Sequence, residues 1–534
     1  MSRDSIFRIS NTARFYGGHD AVTNVHGVQR RSAANAANTT ATAPPALPSS
    51  FVAMPPLRYP VALDDSELAN GFEAIRQEMN IPAFSAKGLA QAQSAAATGP
   101  VTPPAADPTR LDRTDVDLVA IDPPGSRDLD QAFGAERLGD GYRVHYAIAD
   151  VAAFVAPGTT LEAESLERGV TLYAPDRRES LHPEIINEQA ASLLPGETRP
   201  SAMWAIDLDG GGHITNATLT RTTVRVSQAM TYREAQAEID GPDPRESLAL
   251  LSEIGRHREQ LERERGAVSL ALPAQEIKKD EHGHSQLVYD ETLAVEGWNA
   301  QISLLTGIAA ADIMLEAGVG MLRTLPPPEQ ETIDGLRRTA RGLQVEWPES
   351  ESYADRVRDL DPNHPREVAL LMRSARGLRG AGYASFISAD QIPSQPQHSA
   401  IASTYAHVTA PLRRVCDRYA NEVILAICGD REPPAWALEM LPELPSVMGR
   451  TRQREQSLER AVVDYMEAMV LQPSIGREFD AVVINHRRDQ AIIQLRDPAV
   501  IAGIEPKPQL GQQIRVKLLS VDTMARQVQF ERVS

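Results

Sequence analysis

The stretch AIDPPGSRDLDQAF, residues 120–133, decides how the rest of the chain is read. A hydrophobic run, Val116 to Ile121, ends at Asp122. Pro123, Pro124 and Gly125 then force a turn, and Asp128 and Asp130 follow at once. Three carboxylates within nine positions repel one another when ionised in a cleft unless a hard cation neutralises them. Mg²⁺ suits such oxygen ligands, with Mn²⁺ as a substitute, and substrate phosphate oxygens complete the shell. A calcium loop fails on spacing, because the third position is Pro124 and the twelfth is Phe133. An Asp-rich solvated turn with local Asx caps has the same local spacing, and that alternative stays open at this point.

Around this loop the chain is long and mixed. Its 534 residues leave room for about three domains. Hydrophobic residues at 42% and charged residues at 24% describe a globular protein with a sizeable core. With 54 Lys+Arg against 72 Asp+Glu the net charge is -18, so binding a polyanion requires a local basic patch or a metal. Residues 476–534 reverse the sign, with nine Lys/Arg against seven Asp/Glu, a net +2. Two cysteines, Cys416 and Cys428, exclude a disulfide framework and fit a reducing cytoplasm. No stretch reads as a membrane span of about 18 apolar residues, and no signal-peptide core is present. Neither membrane insertion nor secretion is expected.

Residues 1–50 lack apolar periodicity and are expected to form a disordered N-terminal extension. Their arginines bear a weak likeness to a transit peptide; an extension of the reading frame ahead of Met54 is the alternative. Residues 51–110 read as a short helical region and linker. Asp65 or Ser66 caps a helix with Leu68, Phe72, Ile75 and Met79 on one stripe, a second helix runs near Ala86 to Ala96, and Ser94 to Pro108 is a linker. Residues 111–470 carry both periodicities, with strands at Val116–Ile121, Tyr142–Ile148 and Met203–Leu208 and helices at Trp298–Ala317 and Arg418–Cys428. This is an α+β body. Residues 475–534 read as strands at 478–484, 490–495, 512–521 and 526–530, with a short one near Val500. That pattern suits a small OB-type barrel.

The acidic stretch resembles the signature of the RNB catalytic domain of the ribonuclease II family, matched at Ile121, Asp122, Asp128, Asp130 and Ala132. Gln131 stands where the family pattern has a fourth Asp. Further stretches resemble the family in order: 148–165, RGVTLYAPDRRESLHPE at 168–184, TYREA at 231–235, VEGWNAQISLL at 295–305, TYAHVTAPLRRVCDRY at 404–419 and LERAVVDYM at 458–466. The C-terminal barrel resembles the S1 domain that follows RNB, whereas the two cold-shock barrels usual before it do not fit in 51–110. A more open RNA entrance follows as an expectation.

The resemblance implies a hydrolytic exoribonuclease that threads single-stranded RNA from its 3′ end and releases 5′-mononucleotides. It implies Asp122, Asp128, Asp130 and Gln131 as metal ligands, with Asp128, Asp130 and Arg413 catalytic. Arg413 would also hold the scissile phosphate, or else make a surface ion pair with Asp417. Tyr173 would clamp the terminal base, or else be a core tyrosine. Tyr232 and Glu296 would read the 2′-hydroxyl, Glu296 being also placed to cap a helix. Leu270 takes the position of a second clamp residue, and Glu459 matches a late acidic residue near the 3′ end or simply a charged helix face. Ala410 and Val415 replace two hydroxyl-bearing residues around Arg413. The chain is expected to be a cytoplasmic monomer acting on single-stranded RNA. The rival reading is an RNA-binding protein that keeps the tunnel but has lost hydrolysis. A phosphodiesterase of small nucleotides has no use for the barrel.

Overall fold

The computed structural model describes residues 65–100, 110–268, 293–361, 364–378, 380–487, 490–495, 498 and 500–533, together with the backbone of 7–9, 275–279 and 285–289. Within 1–50 the described part is the strand Phe7–Ile9, paired with Gln275–Lys279, so the expectation for the remainder of that segment, like Leu270, lies outside the described residues.

The helix Asp65–Met79 forms on the expected stripe, burying Leu68, Phe72 and Ile75 against the long helix Leu444–Leu471. Phe72 meets Tyr465 edge to face, and the Tyr465 hydroxyl donates to the Glu67 carbonyl at 2.9 Å. Gly71 permits that approach, since a Cβ there would lie 2.0 Å from the Tyr465 ring. A second helix, Ala86–Thr98, is capped by Ser85 and stopped by Gly99 at φ 84. The expected linker therefore starts too early: 94–98 are helical, because an alanine run costs little to hold in a helix when its start is capped.

The body is built on a sheet in the order Leu111–Asp112, Ile214–Met230, Leu118–Ile121, Gln131–Leu138, Gly141–Ala149, Thr198–Leu208. The 17-residue strand Ile214–Met230 pairs antiparallel with Thr198–Leu208 along its first part and parallel with Leu118–Ile121 at its end, so one strand joins the two ends of the sheet. The α+β class holds. One face packs Val119, Ile121, Phe133, Tyr146 and Ile148 against helices that include Ala294–Ala317 and Val415–Cys428. The other packs Leu118, Ala120, Ala132 and Ala147 with Leu129 and Leu412. The helix Ala294–Ala317 corrects one expectation, because by length and composition it could cross a membrane. It reads otherwise in sequence because Glu296, Asp312 and Glu316 interrupt it, and 61% of its most apolar window is buried inside the protein, as in a core helix.

The last five strands, Glu478–His486, Ala491–Leu495, Ile501–Ile504, Gln513–Asp522 and Gln527–Arg532, close into the expected barrel. Its interior is apolar, and Phe479 meets Phe530 there edge to face, so both rings are spent on the core rather than offered to a ligand. The barrel is seated on the body through Val368 and Met372 packed with Val482, Ile484, Ile492 and Ile501.

Candidate active site

The acidic loop is shaped by what anchors its two ends. Leu118–Ile121 is wholly buried, and its pairing continues one residue further, with the Asp122 amide donating to the Met230 carbonyl at 3.0 Å. Ser126 N–H then closes on the Pro123 carbonyl at 3.2 Å, with Gly125 at φ +79, a region that favours glycine. On the return, Leu129 is held by the Ser192 hydroxyl at 2.9 Å and the Leu193 amide at 3.0 Å, with its side chain in the core beside Leu412. Flanking this fixed residue, Asp128 and Asp130 are delivered as a pair. Gln131 opens the next strand, where the register of Val119 with Phe133 sets it across from Ile121, one residue short of Asp122.

The segment 410–414 meets this loop from 282 residues away. Leu412 N–H donates to Asp130 Oδ1 at 2.7 Å, and Arg413 Nε stands 3.6 Å from Asp130 Oδ2. Asp417 shapes the turn by accepting the Ala410 amide at 2.7 Å and the Arg414 guanidinium at 2.8 and 3.0 Å. The ion pair considered for Arg413 is therefore made by Arg414, and Arg413 is left facing the carboxylates with 43% of its side chain exposed. Asp417 also lies with His407 and Cys416 in a buried group compact enough for a metal, and there its two oxygens accept from Arg414 as those of Asp128 accept from Arg178 and Tyr173.

Tyr173 is 40% exposed, so it is not a core residue. Its hydroxyl donates to Asp128 Oδ2 at 3.3 Å. Tyr232 opens the helix Tyr232–Ile239 behind a Thr231–Glu234 capping box, and its hydroxyl bonds to Asn299 and feels both Asp122 and Glu296. Glu296 caps its helix, its Oε1 accepting the Leu293 amide at 3.0 Å, and stays close enough to raise the Tyr232 hydroxyl further. Glu459 is half-buried on Leu444–Leu471, its carboxyl pushed up to about 8 by burial, so it is more than a solvated charged face.

Sequence reasoning missed Arg178. Its Nη1 lies 2.5 Å from Asp128 Oδ1, and its Nε and Nη2 lie 2.9 and 2.8 Å from Glu188 Oε1. The signal available was the pair of arginines after the turn residues Pro175 and Asp176, which places Arg178 on the return strand of a short ribbon.

Burial dominates the electrostatics. Asp122 is pushed up to about 7 by desolvation, with Arg413 opposing and Asp128 adding to it. Asp128 is raised and Asp130 raised well above the usual carboxylate range for the same reason, despite the arginines. Asp122 Oδ2 and Gln131 Oε1 are buried with no hydrogen-bond partner. These oxygen donors are of the type a hard divalent cation takes, although the three aspartates are not gathered as closely as His407, Cys416 and Asp417, whose ligand atoms all lie within 4.8 Å.

Residues 110–430 match the RNB domain family, and 477–533 match the RNase II-type exonuclease C-terminal S1 domain. Among curated proteins, the exosome complex exonuclease RRP44 homolog A of Arabidopsis thaliana is 28% identical over 384 residues, 68% of this chain and 40% of that protein, so the chain spans well under half of that relative. Among solved structures, Mycoplasma genitalium RNase R in complex with ribose-methylated single-stranded RNA superposes with a TM-score of 0.76 at 18% identity, covering 88% of this chain and 79% of that one. Yeast Ssd1, described as a pseudonuclease, superposes with a TM-score of 0.62 at 16% identity over 76% of this chain and 52% of that one.

Proposed function

The chain belongs to the RNB family, and on that premise we propose that it is a metal-dependent hydrolytic exoribonuclease that shortens single-stranded RNA from the 3′ end and releases 5′-mononucleotides. We take Mg²⁺ as the natural ion. The observation that carries this reading is the meeting of Asp122, Asp128, Asp130 and Arg413 around buried acceptor oxygens that have no donor. Asp122, Asp128, Asp130 and the Gln131 carbonyl would hold a divalent ion, which would supply polarisation of the scissile phosphate and activation of water.

The chain's own residues do the rest. Arg413, set by the Asp417-bound turn, offers a planar fork to the phosphate and meets charge as it develops. Tyr173 exposes a ring on which the terminal base stacks. Tyr232 and Glu296 bond the ribose 2′-hydroxyl, and a site built for that bond disfavours DNA. In this reading the protein works as a monomer in the cytoplasm, where Cys416 and Cys428 remain free thiols.

A second reading, an RNA-binding protein without hydrolysis, is favoured by the neutral Gln131 and by the likeness to a pseudonuclease. Retention of all three Asp and of Arg413 favours the enzyme, because desolvated carboxylates are costly to keep without use. The deciding experiment follows 5′-labelled single-stranded RNA and its DNA counterpart with Mg²⁺, Mn²⁺ or chelator. Progressive 3′ shortening of RNA alone, stopped by chelator, is expected. Tight RNA binding without shortening in either ion would establish the second reading.

A further inference from the structure

Arg178 has no part in the roles just given, yet it is held more firmly than a surface arginine. It lies directly opposite Tyr173 in the two-strand ribbon Leu172–Tyr173 and Arg178–Glu179, so the two side chains share a face. Its guanidinium is fixed from two sides, by Asp128 Oδ1 and by Glu188 Oε1 from the helical turn Ile186–Ala190. Its side chain is 22% exposed, and Tyr173 across the ribbon is 40% exposed.

The charges at this place do not suit two metal ions. Asp122, Asp128, Asp130 and Glu188 oppose Arg178 and Arg413, leaving two uncompensated negative charges when all are ionised, apart from the water-exposed Arg127 that pairs with Glu188 at 3.8 Å. One divalent ion neutralises that excess; a second reverses it. A second ion would need Asp128 Oδ1, the oxygen that the Arg178 guanidinium holds at 2.5 Å, and bonded there at about 2 Å it would be repelled more strongly than an ion bonded to Oδ2. Gln131 adds no charge to offset this.

We propose that Arg178 is a fixed cation of the reaction cleft, locked by Glu188, that contacts the terminal phosphodiester of RNA and stands in for a second divalent ion on Asp128, so that the site takes one ion. This rests on the exoribonuclease reading and deepens it.

The test reads binding rather than turnover. Bound Mn²⁺ is counted on the full chain by electron paramagnetic resonance, and affinity for a fluorescent single-stranded RNA is measured in chelator over a range of salt. One Mn²⁺ per wild-type chain is expected. Arg178→Gln is expected to bind RNA more weakly and to lose about 0.7 from the magnitude of the log–log salt slope, the share of one phosphate contact on a single strand. Arg178→Lys and Glu188→Gln keep a cation at the site and should keep the slope. Two Mn²⁺ per wild-type chain, or an unchanged slope in a folded Arg178→Gln, overturns the proposal while leaving the exoribonuclease reading intact. Absence of RNA binding by the wild type instead overturns that reading as well. If Arg178→Gln does not fold, the wild-type ion count decides, two Mn²⁺ per chain overturning the proposal.

Discussion

Asp150 and Asp122 sit at equivalent places, each the first residue after a buried strand of one sheet, and they are treated in opposite ways. Asp150 Oδ2 receives Arg110 at 2.7 Å and Arg221 at 2.8 Å, and Arg221 extends the network to Glu422 at 2.8 Å on the helix Val415–Cys428. Those arginines outweigh burial and hold its carboxyl below the usual range. Asp122 keeps an oxygen without a donor, and burial prevails over Arg413. One carboxylate is compensated by the protein and ties sheet to helix; the other keeps an oxygen without a donor beside Asp128 and Asp130, which are only partly compensated by Arg178 and Arg413.

The largest expected effect separates chemistry from bracing. Asp130→Asn should slow RNA shortening by about 10³-fold, the scale of losing one preorganised electrostatic contact. Its urea midpoint should not fall, because the change removes a desolvated carboxyl. A midpoint that drops as activity is lost would put Asp130 with Asp150 as a structural residue. The converse change is Asp150→Asn, which leaves Arg110 and Arg221 short of their charge partner in the interior. It should cost about 3–5 kcal/mol in urea unfolding, as breaking a buried ion pair does. A loss under 1 kcal/mol would mean that Glu422 alone suffices and that the contrast is weaker than drawn.

A smaller effect tests whether the cleft beside Asp128 binds a base. Tyr173→Ala should weaken single-stranded RNA binding about tenfold, in the range for losing one base-stacking contact, while Tyr173→Phe should bind as the wild type. If Tyr173→Phe is as weak as Tyr173→Ala, the hydroxyl on Asp128 at 3.3 Å, rather than the ring, is what matters.

The part of this arrangement that local chemistry dictates was readable in sequence. Alternation at 478–530 announced the barrel, the stripe Leu68, Phe72 and Ile75 announced its helix, and Pro123–Gly125 placed the acidic turn. Pairings across long separations were not readable. Asp130 is met by Leu412 N–H from 282 positions away, and the Arg178 contact to Asp128 spans 50. Ile214–Met230 also escaped notice, because its run of Thr, Arg and Gln carries little apolar pattern although it closes the sheet. The resemblance supplied Arg413 and Tyr173. It did not supply Arg178, whose proposed role depends on its contacts to Asp128 and Glu188.

Glu459 offers a third treatment of a carboxyl, one in which burial outweighs the neighbouring Arg460, and hence the smallest and most specific effect. Burial on the helix Leu444–Leu471 raises it from 4.5 to about 8, and Arg460 offsets only part of that. A carboxyl raised on folding favours the folded state fully below its unfolded value near 4.5, and that contribution is lost as pH climbs through about 8. Glu459→Gln removes the dependence. Variant and wild type should therefore diverge in thermal midpoint as pH rises from 4.5 to 8, by roughly a few degrees in favour of the variant, and run parallel above that. A difference independent of pH would show that water reaches the carboxylate well enough to keep it ionised, which would make Glu459 the charged helix face that its neighbour Arg460 already is.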